Sequence, residues 1–85
     1  MIKITAIYLL PLIMRTFIQV RTDDGRIIIA LKTWIHPYKA GWYTHGVELK
    51  TEKPQTGRTM QIILINVKHE EFYMKSYEII SEKPW

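Results

Sequence analysis

The chain has 85 residues, 47% hydrophobic and 24% charged, a balance that suits one globular domain spanning 1–85 with a core of its own. It contains no cysteine, which excludes disulfides, thiolate metal sites and cysteine nucleophiles. The net charge of +4 lies wholly in the first half, where residues 1–46 carry six basic groups against Asp23 and Asp24, so an acidic partner is expected there.

The N-terminal run MIKITAIYLLPLIM has a faint likeness to a signal peptide, with one lysine followed by about eleven mostly apolar residues. No small-x-small cleavage site follows, and the run is far shorter than the roughly 20 apolar residues that span a bilayer. Residues 2–10 are therefore expected to form a buried strand that Pro11 ends, because proline cannot donate to a ladder. With no membrane segment expected, the protein reads as cytoplasmic.

Residues 14–36 are the centre of the sequence and read as a β-hairpin with arms at about 13–22 and 26–35. Asp24-Gly25 is the turn signal, since both central residues of a type I′ loop need positive φ. A two-residue loop pairs Val20 with Ile29 and Ile18 with Leu31, collecting Met14, Ile18, Val20, Ile27, Ile29, Leu31 and Ile35 on a core face. Arg15, Phe17, Gln19, Arg21, Ile28, Lys32 and Trp34 are then expected on the outer face. A three-residue loop would place Lys32 and Trp34 beside Ile18 and Val20, mixing charge into the core, and is disfavoured for that reason.

Residues 36–46, HPYKAGWYTHG, are punctuated by Pro37, Gly41 and Gly46 and read as a loop. Residues 47–50 suggest a short strand, 51–58 a mobile exposed loop, and 59–68, TMQIILINVK, a strand apolar on both faces. Residues 69–80 fit a further strand paired with 59–68 better than a helix. The tail is expected to lay Trp85 over a core edge. The sum is an all-β fold, with one short helix as an allowed addition: a small five- to six-stranded antiparallel barrel or sandwich of the SH3-like or OB-like size class.

Catalysis finds little support, so the chain is expected not to be an enzyme. No G-x-S-x-G, P-loop, GxGxxG or H-E-x-x-H pattern occurs, and the Asp23-Asp24 and Glu70-Glu71 pairs sit in turn-like settings. His36, His45 and Glu48 have no spacing with a metal-ligand rationale, so neither a metal nor another cofactor is expected.

One constellation stands above background: Arg15, Phe17, Lys32 and Trp34 on the outer hairpin face, followed by His36, Tyr38, Lys39, Trp42 and Tyr43. Flat rings beside cations suit stacked bases and phosphates. The bland alternative is that the rings close one end of the barrel, as large aromatics most often do. The expected function is a non-enzymatic binding module for an anionic, base-containing ligand, either single-stranded nucleic acid or a nucleotide. The alternative is a small protein-binding inhibitor or adaptor acting on a nucleic-acid-handling enzyme, with the same rings as interface anchors. Ile28 on the outer face adds a reason for homo-oligomerisation.

Overall fold

The computed structural model describes residues 15–84 except Glu52. Its elements are β1 (Thr16–Thr22), β2 (Ile27–Leu31), a 3-10 turn (Lys32–Trp34), β3 (His36–Tyr38), β4 (Gly41–Leu49), α1 (Gly57–Asn66), β5 (Glu70–Met74) and β6 (Tyr77–Pro84). The expected strand at 2–10, Pro11 and Trp85 lie outside the described residues.

The strands make one antiparallel sheet in the order β3-β4-β2-β1-β6, with β5 also paired to β4. The sheet curls into a half-barrel. Phe72 of β5 shares a buried cluster with Ile18 and Val20 of β1, although β4 and β2 lie between those strands, and a flat sheet would hold them apart. The fold is thus mostly strand with one helix, as the sequence led us to expect.

The hairpin forms, but one residue out of the expected register. Ile18 faces Ala30 and Val20 faces Ile28, and the connection is the three-residue Asp23-Asp24-Gly25. Local hydrogen bonds select it. The Gly25 amide donates to the Thr22 carbonyl at 3.0 Å, closing a β-turn, and the Arg26 amide donates to the Thr22 hydroxyl oxygen at 3.0 Å. Thr22 also donates to Asp24, and the Asp24 carboxylate takes the Arg26 guanidinium at 2.9 Å. Within this loop Gly25 alone has positive φ (+89°), which is the pattern of a turn followed by a left-handed glycine rather than type I′. The objection to this register falls away because β2 ends at Leu31. Lys32 sits in the following turn, exposed and ion-paired to Glu82 at 2.6 Å.

Both faces of the hairpin are core, which corrects the expected division into core and outer sides. Ile18, Val20 and Ile28 fill the inside of the curl with Phe72, while Phe17, Ile29, Leu31 and Trp34 pack on the other face with Val47 of β4 and with Met60 and Leu64 of α1. Ile28, whose expected exposure argued for a homo-oligomer, is fully buried.

The element on that second face is the helix α1, where a strand was expected. The Thr56 side chain caps it by accepting from the Thr59 amide at 3.3 Å, and Met60 and Leu64, one turn apart, point into the sheet. Ten residues are marginal as an isolated helix, so this packing holds it. The segment before it is pinned rather than mobile at Gln55. The buried Gln19 amide donates to the Gln55 carbonyl at 2.9 Å and accepts from the Gln55 amide at 2.8 Å.

Two further expectations change. Residues 36–46 form a hairpin, β3 with the first part of β4, rather than a loop. Residues 69–80 do hold strands, but β5 pairs with β4 and β6 with β1, on opposite edges of the sheet, and the chain breaks between them at Lys75-Ser76.

Candidate functional site

Strand pairing builds the site. Tyr43 on β4 lies directly opposite His36 on β3 and Tyr73 on β5, and His45 lies opposite Glu71, so all five side chains share one face. Alternation along β4 puts Val47 on that face too, under the helix. The helix therefore covers only part of the face. Among the described residues no helix lies across it over β3, the first half of β4 and β5, and the rings form a stripe.

Centroid distances make the stripe continuous: Tyr38 to Tyr73 is 4.9 Å, Tyr73 to Tyr43 is 5.1 Å and Tyr43 to His36 is 4.8 Å. Tyr38 faces Gly41 across the hairpin, and the missing side chain there leaves room for its ring to reach β5. Tyr38 is 54% exposed and Tyr73 51% exposed, large values for aromatic rings on a sheet. The other end is anchored in the core, where His45 stacks on Trp34 at 4.1 Å and 25°, and His69 lies 5.0 Å from the same indole. His36 reaches the Trp34 carbonyl at 3.2 Å and His69 the Leu64 carbonyl at 2.6 Å.

All three histidines of the chain thus gather around Trp34 and Tyr43. Among the described residues they form no group able to hold a metal ion with the neighbouring carboxylates.

The charge of the stripe is mixed. Glu71 stands beside Tyr43 and Tyr73, and burial together with this carboxylate raises both phenols above the usual tyrosine value. Lys39, in the turn after Tyr38, and Lys75, after Met74, are exposed at the Tyr38–Tyr73 end. Neither belongs to an ion pair among the described residues, unlike Arg21, Arg26, Lys32 and Lys50.

His45 carries a pH signature. Its Nε2 is buried without a hydrogen-bond partner, and burial, with the neighbouring His69 and His36, holds its pKa below the ordinary 6.5 despite the opposing pull of Glu71. The unfolded chain then binds this proton more tightly than the folded one. The corresponding stability is complete above about 6.5 and is lost as pH falls through the folded-state value. Replacing His45 by Phe keeps a ring on Trp34 and removes the titration. The melting temperature of the native protein is expected to drop more between pH 7.5 and pH 5 than that of His45→Phe. Parallel curves would show that His45 does not titrate against folding.

The residues singled out from sequence divide into two groups. His36, Tyr38, Lys39 and Tyr43 come together as expected. The hairpin platform does not exist: Phe17 is 1% and Trp34 7% exposed, and Lys32 is taken by Glu82. Arg15 is half-buried with its Nε unpartnered among the described residues, and Phe17 pairs with Leu31 rather than standing beside Lys32. Trp42 points to the other face of β4, edge-on to Tyr77 at 5.3 Å. Tyr73, His45 and His69 complete the stripe and were not in the expected set. Alternation in EEFYM, with Phe72 and Met74 buried and Glu71 and Tyr73 exposed, was the available signal. No protein family, curated protein or solved structure matches this chain.

Proposed function

We propose that the protein is a non-enzymatic binding module for single-stranded nucleic acid, with the Tyr38–Tyr73–Tyr43–His36 stripe as its contact surface. The observation that carries this reading is the ring spacing: four rings, two of them more than half exposed, follow one another at 4.8–5.1 Å on an open sheet face. Each ring offers a flat apolar surface for a base, and such stacking tolerates any base sequence. Lys39 and Lys75 supply the charge for phosphates at the exposed end.

Tyr38→Ala and Tyr73→Ala are each expected to weaken binding of a short oligothymidylate by about 1–3 kcal/mol, roughly 5- to 150-fold. Both rings are exposed, so the substitutions should leave the fold intact. The measurement is fluorescence anisotropy of a labelled oligonucleotide at two salt concentrations, where phosphate contacts also show as a loss of affinity with salt.

A second reading takes the stripe as a protein interface, belonging to an inhibitor or adaptor for a nucleic-acid-handling enzyme. Glu71 favours it, since a carboxylate among the tyrosines opposes a polyanion but suits a partner's arginine or lysine. Absence of oligonucleotide binding at low salt would transfer the proposal to this reading.

A further inference from the structure

At the exposed end of the stripe three turns meet. The Asp23-Asp24 turn of the first hairpin, the Tyr38–Gly41 turn of the second and the end of β5 enclose an open pocket of about 290 Å³. Its shape depends on close backbone approach, because a Cβ on Gly41 would lie 2.3 Å from the Met74 carbonyl oxygen. Tyr38, Trp42 and Tyr73 supply aromatic surface, and Lys75 lies on its rim.

The two carboxylates at the pocket are not equivalent. Asp24 is engaged by the Thr22 hydroxyl and the Arg26 guanidinium, which hold its pKa below the ordinary carboxylate value. Asp23 is oriented by the main chain of the opposite turn: its Oδ1 accepts from the Lys75 amide at 2.9 Å and from the Ser76 amide at 3.5 Å. Its Oδ2 makes no hydrogen bond among the described residues. The pocket therefore offers a fixed acceptor beside aromatic surface.

We propose that this pocket is a guanine subsite in which Asp23 reads the base through its Watson–Crick edge; the proposal rests on the nucleic-acid reading of the stripe. An ionised carboxylate only accepts hydrogen bonds. Among the common bases, guanine alone presents two adjacent donors on that edge, N1–H and the 2-amino group. Adenine and cytosine set one donor beside an acceptor, and thymine and uracil place one donor between two acceptors. Single-stranded ligands expose these edges once a base is splayed onto a ring. The base packs against the ring surface that lines the pocket while its phosphate meets Lys75, so the negative charge of Asp23 faces donors rather than phosphate. A sequence-tolerant stripe thereby gains preference at one position.

The test compares three oligonucleotides on the native protein by anisotropy competition: (dT)8, the same strand with one terminal thymine replaced by guanine, and the same strand with inosine there. Inosine keeps N1–H and lacks the 2-amino group. The guanine strand is expected to bind at least 10-fold more tightly than (dT)8, with the inosine strand between them. Asp23→Asn keeps an oxygen for the Lys75 amide but loses the free acceptor, and is expected to reduce the guanine preference to less than threefold. Equal affinity of the native protein for all three strands would overturn the guanine subsite and leave the stripe standing. Failure of every strand to bind would overturn both. Because the base series uses the native protein, a folding defect in Asp23→Asn would not obscure the result.

Discussion

Trp34→Ala is expected to cost about 3–5 kcal/mol, the range for removing a large aromatic side chain from a core. A small domain has about 5–15 kcal/mol in total, so this loss would leave the protein close to unfolding at room temperature. The indole is 7% exposed and packs with Phe17, Leu31, Met60 and Leu64, so its removal opens a cavity where α1 meets the sheet. It also frees His45 from its 4.1 Å stack and His69 from its 5.0 Å contact, which loosens the buried end of the ring stripe. Urea denaturation followed by circular dichroism measures the loss. The useful comparison is Tyr38→Ala, which removes an exposed ring at the other end of the stripe and should leave the midpoint nearly unchanged. A Trp34→Ala protein with native stability and lost ligand binding would return the indole to the surface and undo the packing described above.

That contrast marks where sequence reasoning succeeded and failed. The turn at Asp24-Gly25 was legible because glycine is the residue that accepts positive φ, and φ at Gly25 is +89°. The loop length was not, since it depends on the Thr22 hydroxyl meeting the Arg26 amide, a bond no hydrophobic pattern encodes. One register step set Ile28 on the face of Phe17 when it belongs with Ile18 and Val20, and Phe17 read as exposed because the helix that covers its face was read as a strand. The segment 59–68 was ambiguous for a physical reason: a helix of Ile, Leu and Met reads as a strand when apolar residues occur all round it. The one local sign of a helix was the cap at Thr56. The site was half legible. His36, Tyr38, Lys39 and Tyr43 are neighbours in sequence and were found together. Tyr73 joins them only because β5 pairs with β4, a contact across some thirty residues of chain that includes α1.

Two glycines separate conformational strain from steric collision, and the larger effect is expected at Gly46. A Cβ there would lie 2.2 Å from the Ile29 carbonyl oxygen and 3.1 Å from the Ala30 Cβ, both on β2. Backbone and a buried methyl cannot yield as the tip of a long side chain can, so β4 must move away from β2 at the Ile29–Val47 pair. That pairing joins the half of the sheet holding β1 and β6 to the half holding β3, β5 and the ring stripe. Gly46→Ala is expected to cost about 3 kcal/mol, the upper part of the usual range for overpacking a core. For a domain of this size the melting temperature should fall by roughly 12–24 °C. At Gly25 the φ of +89° strains any side chain, but nothing lies within 4 Å of the added Cβ. Gly25→Ala should therefore cost only about 1–2 kcal/mol, the backbone penalty alone. Thermal melts of the two variants side by side decide the matter. If Gly25→Ala proved the more damaging, β2 and β4 could not approach as closely at Gly46 as the sheet requires, and the link between the helix-covered half and the ring-bearing half would have to be redrawn.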